Sequence, residues 1–152
     1  MKNKTYDVVT FGNAIVDIVN PTEFEFLKKN SLVPGSMNLV SQEESNHLLS
    51  QCKPKEIISG GSAANTAVGI ASFGGKPAFI GKVKNDEYGH IFSKSLNSEG
   101  VIFNSIKSSE GSPTATSLIS VTPDGERTMC THLGACLDLD ENDIDEEIIT
   151  DT

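Results

Sequence analysis

The chain has 152 residues, enough for one domain with a sizeable core, and its 37% hydrophobic and 22% charged content reads as soluble and globular. No apolar run approaches the ~20 residues of a membrane span, and the opening "MKNKTYDVVTFG" lacks the apolar stretch of a signal peptide, so a cytoplasmic location is expected. The net charge of −9 is concentrated at one end: Asp138 to Thr152 carries eight acids and no base, while the preceding 137 residues hold thirteen acids and twelve bases and show no basic footprint for nucleic acid.

In chain order, "YDVVTFGNAIVDIV" predicts a short apolar strand running to Gly12 and a second strand over Ile15–Val19. Thr22 and Glu25 have capping-box spacing ahead of "EFEFLKKN". "VPGSMNLV" gives a turn and a strand, and Ser41 and Glu44 repeat the capping-box spacing ahead of "NHLLSQC". From Glu56 the pattern becomes regular: "EIIS" is a strand, "AANTAVGIASFG" a helix, "PAFIGKV" a strand, "EYGHIFSKSLNSEG" a helix and "VIFNSI" a strand. Asp86 caps the second of these helices and Gly100 ends it. The alternation predicts parallel pairing with right-handed crossovers, and Ala64, Ala67, Val68 and Ala71 let the first helix sit close on a sheet.

"TATSLISV", "TPDGE" and "RTMCTHL" then read as a hairpin around a Pro-Asp-Gly turn. The expected architecture is an α/β core plus a smaller β element built from Ile15–Val19, Ser36–Val40 and the Thr114–Leu133 hairpin. Leu139, Ile144, Ile148 and Ile149 recur at nearly helical spacing, so the acidic end reads as an amphipathic helix rather than a disordered tail. Cys52, Cys130 and Cys136 show no CxxC pairing and read as reduced, structural thiols. His47, His90 and His132 are scattered without metal-ligand spacing, so no metal site is expected.

Two places carry chemistry. In "GNAIVDI", Asn13 and Asp17 stand four residues apart. If Val8, Phe11, Ile15 and Ile18 are core, Asp17 is a carboxylate among apolar residues, costly without partners. Sugar hydroxyls are natural donors to it, and an ordinary exposed acid is the alternative. In "ISGGSAANTAVGIASFGG", adjacent glycines fall at a strand-to-helix junction. The P-loop lysine and the G-x-G-x-x-G fingerprint are both absent. Two readings remain. Either Gly60 and Gly61 let a small polar ligand touch the backbone, with Ser62 capping the helix and Asn65 facing the ligand, or they form a tight turn under a closely packed helix with Asn65 solvated.

"GGSAANTAVGIASFGG" resembles the first signature of the PfkB family of carbohydrate and nucleoside kinases. "GNAIVDI" is similar to the family's opening sugar-binding strand and "GKVKNDEYGHIF" to its Gly…Asp…Gly segment before a helix. "DGERTMCTHLGA" resembles the returning lid strand, nearest the adenosine-kinase-like branch. The four motifs are collinear from about Tyr6 to the C-terminus. The resemblance implies a ribokinase-like α/β fold, a three-layer core with a parallel sheet plus a small β-sheet lid. Residues 1–152 would be a truncated, N-terminal part of that domain, with lid elements at about 14–20, 35–41 and 113–133.

By the same resemblance Asp17 would hold a pair of ribose or sugar hydroxyls. Gly60, Gly61 and Asn65 would complete the pocket, with Asn13 nearby and Met37, Cys130 and Leu133 as lid contacts. Arg127 is the single arginine, and a lone guanidinium suggests a need for its planar fork. The resemblance brings it to the transferred phosphate on closure; a hairpin ion pair with Asp124 or Glu126 is the alternative. The family's second signature, Asp-Thr-x-Gly-Ala-Gly-Asp, is absent from the sequence. In relatives it supplies the catalytic base and the anion hole, so no catalytic base is expected in this chain.

The implied function is the substrate-binding portion of a kinase that uses ATP and Mg2+ to phosphorylate an adenosine-like nucleoside or a sugar hydroxyl, inactive when isolated. The alternatives are a kinase for a free sugar (ribose, fructose or a ketodeoxy sugar acid) and a non-catalytic sugar-binding or interaction module. Expected partners are a small-molecule nucleoside or sugar, with no nucleic acid and no membrane. Self-association through an exposed sheet edge is also expected.

Overall fold

Burial sorts the strands into two sheets. A computed structural model describes residues 4–105 and 107–152 of the α/β chain. Strand β1 (Val8–Phe11) pairs in parallel with β5 (Pro77–Ile80), Val8 opposite Pro77 and Phe11 opposite Ile80. All four residues of β5 are buried, as a parallel strand covered on both faces requires. Helix α3 (Ser62–Ser72) packs on this pair through the fully buried Ala64 and Ala67, whose small side chains allow the close approach. Helix α4 (Glu87–Ser98) brings Phe92 to Phe79 of β5 and to Phe103, with ring centroids 5.2 to 5.8 Å apart.

The second sheet collects β2 (Ile15–Pro21), β3 (Met37–Leu39), β4 (Glu56–Gly60), β6 (Ala115–Val121) and β7 (Arg127–His132) in the order β3–β7–β6–β2–β4. β6 and β7 form the expected antiparallel hairpin, and β2 lies parallel to β6 and antiparallel to β4. Side chains alternate across the sheet. Val16, Ile18, Leu118 and Cys130 point to one face, at most 2% exposed, and join the core beneath α4 and α2 (Gln42–Leu49). The other face is open at its edge, where Met37 and Leu39 are 58% and 65% exposed, but Ser117, Ile119 and Thr131 at its centre are 4%, 9% and 7% exposed. Helix α1 (Phe24–Lys29) follows β2 and is anchored by the buried Leu27.

After β7 come two 3-10 turns, Gly134–Asp138 and Glu141–Asp143, and the short helix α5 (Glu146–Thr150). Lys82, just past β5, holds this acidic end: its Nζ donates to Asp143 Oδ2 and to the Asp138 carbonyl, both at 2.8 Å. The backbone N–H groups of Thr5 and Tyr6 donate to the Asp151 carbonyl.

Some local signals have their expected outcome. The Ser41–Glu44 capping box is present, Asp86 caps α4, and the three cysteines are free thiols. Other expectations need correction. The Glu56–Ser59 strand does not join the parallel core. It lies at the edge of the second sheet, where Ile57 and Ile58 keep 39% and 38% exposure, too open for a strand buried on both faces.

Of the expected Val101–Ile106 strand, the described residues 101–105 contribute a single bridge, Ile102 to Ala78, because the Asn97 side chain takes up the Phe103 N–H; Ile106 lies outside the described residues. Gly61, not Ser62, is the N-cap of α3, and Glu23, not Thr22, that of α1; neither makes a side-chain cap bond. Phe11 is 57% exposed rather than core. At the acidic end only Glu146–Thr150 is α-helical, because the Asp140 carboxylate accepts the Asn142 N–H and closes a tighter turn. Among the described residues no helix is long and apolar enough to cross a membrane.

Candidate functional site

The junction between β4 and α3 is shaped by what surrounds its two glycines. Gly60 lies opposite Ile15 of β2, and a Cβ there would stand 2.6 Å from Asp17 Oδ1 and closer still to its Cγ and Oδ2. Gly61 has φ +93°, and a Cβ on it would overlap the Asn13 backbone carbonyl. Hence only glycine fits at Gly61, and a side chain at Gly60 would displace the Asp17 carboxylate. The first glycine makes room for a carboxylate and the second lets α3 start directly against the link between β1 and β2.

Asp17 is half-buried in the middle of β2, and its carboxylate has no hydrogen-bond partner among the described residues. Burial pushes its pKa up from 3.8 to about 6. Such a group is a strong acceptor waiting for donors. Asn13 lies in the β1–β2 link beside Gly61, and Asn65 lies one turn into α3, its N–H donating to the Gly61 carbonyl. Both asparagine side chains are exposed. Asp17, Gly60, Gly61 and the Asn13 backbone therefore meet at one edge of the sheet, with Asn65 one turn further into α3.

The cross-strand register fixes what else shares that face. Ile58, Asp17, Ser117, Thr131 and Leu39 form one row across the five strands. The Ser117 and Thr131 hydroxyls are hydrogen-bonded at 2.8 Å. The next row on this face runs through Val19, Ile119, Met129 and Met37. Met37 is thus on the Asp17 face.

Cys130 is not. It points to the helix-covered face, 2% exposed, and burial raises its thiol pKa. Its strand neighbours Met129 and Thr131 hold the places on the Asp17 face, as Ser117 does on β6, and none of the three is among the residues expected there from sequence. Strict alternation from a known register with Asp17 would have found them.

Leu133 sits half-buried just past β7, at the head of the Gly134–Asp138 turn. Arg127 is exposed at the far end of β7, four residues and roughly 13 Å along the strand from Thr131. It makes no ion pair among the described residues. Asp124 instead accepts from Thr122 Oγ1 and the Glu126 N–H within the turn. Among the described residues no three His, Cys, Asp or Glu side chains are grouped to hold a metal ion.

The small α/β core carrying a second, mixed β-sheet is the ribokinase-like fold. The chain belongs to the pfkB family of carbohydrate kinases, whose model matches residues 7–150. Among solved structures it is similar to a probable sugar kinase from Rhizobium etli (42% identity, TM-score 0.89, 97% of this chain and 45% of that one). It is also similar to the adenosine kinase of Sinorhizobium meliloti (44% identity, TM-score 0.87, 95% of this chain and 44% of that one). Among curated proteins, the 5-dehydro-2-deoxygluconokinase of Clostridium botulinum is 30% identical over 99% of this chain and 39% of its own length. The chain thus spans less than half the length of these three relatives.

Proposed function

We propose that this chain is the acceptor-binding portion of a cytoplasmic ATP-dependent phosphotransferase, holding a nucleoside or sugar by a pair of hydroxyls on Asp17. The observation that carries the proposal is the half-buried Asp17 carboxylate, without a protein donor and fitted against the bare backbone of Gly60. Two vicinal hydroxyls supply the donors that it lacks. Gly61, Asn13 and Asn65 line the same edge, and Met37 and Met129 offer the second sheet's surface to the rest of the acceptor. Segments 14–20, 35–41 and 113–133 of that sheet serve as the lid, with β4 at its edge.

In the transfer itself, the acceptor oxygen bonds to the γ-phosphorus of ATP, the bond to the ADP oxygen breaks, and the acceptor proton passes to a base. This chain's share is to bind and orient the acceptor. Arg127 would reach the transferred phosphate on lid closure. The Asp-Thr-x-Gly-Ala-Gly-Asp run is absent, so the base, the anion hole and the contacts to ATP and Mg2+ come from outside these 152 residues. The isolated chain therefore turns over no ATP with adenosine, ribose or fructose. Turnover above background would contradict this. The free edge of β4 is a route to self-association, seen as concentration-dependent mass in light scattering.

An adenosine-like acceptor is the first reading, supported by the 44% identity to a protein described as an adenosine kinase. A free-sugar acceptor is the second, favoured by the match to a 5-dehydro-2-deoxygluconokinase along nearly the whole chain. Calorimetry with adenosine, 2'-deoxyadenosine and fructose tests both. Adenosine should bind at least about tenfold more tightly than its deoxy analogue, since a lost hydroxyl leaves Asp17 unpaired. Asp17→Ala should erase that difference. Unchanged selectivity in Asp17→Ala would refute the hydroxyl clamp.

A further inference from the structure

On the opposite face of β2, three residues beyond Asp17, the strand carries Asn20. This side chain is 4% exposed, and its Oδ1 accepts the Lys53 N–H at 3.1 Å. Its Nδ2 makes no hydrogen bond to protein among the described residues and remains open to solvent. Asn20 lines a cavity of about 820 Å³ where β2 gives way to α1, within the size range of small-molecule sites.

Two further groups on the cavity wall are uncommitted. Lys53 has no carboxylate partner among the described residues, whereas Lys29 is already donating to Gln51 Oε1 at 3.0 Å. Glu23 occupies the N-cap position of α1, yet its side chain caps nothing. A solvent-accessible amide donor on a mostly buried residue, an ammonium and a carboxylate thus line one hollow whose remaining wall includes Phe26, Val121 and Pro123.

We propose that this cavity is a second ligand site, separate from the acceptor site, for a small zwitterion: a free α-amino acid with an apolar side chain. Its carboxylate takes Lys53 and the Asn20 amide, its ammonium takes Glu23, and its side chain rests on Phe26 and Val121. Lys29 and Lys53 against Glu23 and Glu25 leave the lining with no net charge, so a ligand bearing both signs matches it. A phosphate dianion could pair with the two lysines but has no positive group to offer the two carboxylates. The site goes beyond the kinase reading, and its test does not depend on nucleoside binding.

The test is an NMR titration of the 15N-labelled 152-residue chain with L-leucine, N-acetyl-L-leucine, L-leucinamide and inorganic phosphate. L-leucine should give saturable shifts at the Asn20 side-chain amide and at Lys53. Removing either ligand charge should weaken binding by about tenfold or more. Lys53→Ala and Glu23→Gln, both exposed positions, should do the same in a folded chain. An absence of saturable shifts, equal response to phosphate, or wild-type affinity in both variants would each overturn the proposal.

Discussion

The carboxylate of Asp17 fills the space that a side chain on Gly60 would need. This sets a coupling between two residues on neighbouring strands. Gly60→Ala should destabilise the chain by about 1–3 kcal/mol, the usual cost of overpacking, and abolish acceptor binding. In the Asp17→Ala background the same change should cost much less, because the overlapping atoms are gone. Gly61→Ala is the control: its Cβ would meet backbone and its φ is +93°, so Asp17→Ala should not relieve it. Urea denaturation of the four-member cycle checks this, and additive costs for Gly60→Ala and Asp17→Ala would contradict it.

The pH dependence follows from the same burial, which raises the Asp17 carboxyl from 3.8 to about 6. Between those values the unfolded chain has released the proton that the folded chain retains. The contribution of Asp17 to stability is therefore largest below the unfolded value and is lost as pH rises through the folded one. Asp17→Asn should match or exceed the wild type at neutral pH and should flatten the decline between pH 4 and about 6. Denaturation midpoints measured across that range check the sign; a wild-type slope that persists in Asp17→Asn would assign it elsewhere.

Asp86 supplies a third prediction. Its carboxylate accepts the Gly89 N–H at 2.8 Å as a helix cap, and the Thr114 N–H and hydroxyl at 2.9 and 2.7 Å. Thr114 is 1% exposed, so Asp86→Ala removes a cap and strands buried donors together. A loss of about 3 kcal/mol is expected, beyond the ~1 kcal/mol of a cap alone. Thermal unfolding should show the difference. A loss no larger than that of a surface cap would mean that the tie to Thr114 adds nothing.

The features legible in the sequence were those written in short windows. Asp86 ahead of α4, the Ser41–Glu44 box and the Pro-Asp-Gly hairpin depend on residues a few positions apart, and they fold as read. Asp17 stood out as an acid among apolar neighbours, and Gly60–Gly61 as a junction needing bare backbone. Membership of the wrong sheet for Glu56–Gly60 has a different origin: strand–helix alternation is local, whereas antiparallel pairing with β2 is set by contacts forty residues distant.

Cys130 in place of Met129 and Thr131 is a slip of one residue. In a strand that moves a side chain to the opposite face, and only the register with Asp17 through Ser117 resolves it. Ser62 looked like a cap because serine usually is one. Here Gly61, with positive φ against the Asn13 carbonyl, takes that position.

The most direct test of the hydroxyl clamp is a 13C NMR titration of the Asp17 carboxyl in the 152-residue chain, with and without saturating adenosine or fructose. Free chain should titrate near pH 6, as its burial dictates. Bound hydroxyls that donate to the ionised carboxylate should lower that midpoint, and binding near pH 6 should release a proton. An Asp17 midpoint unmoved by either saturating ligand would contradict the clamp.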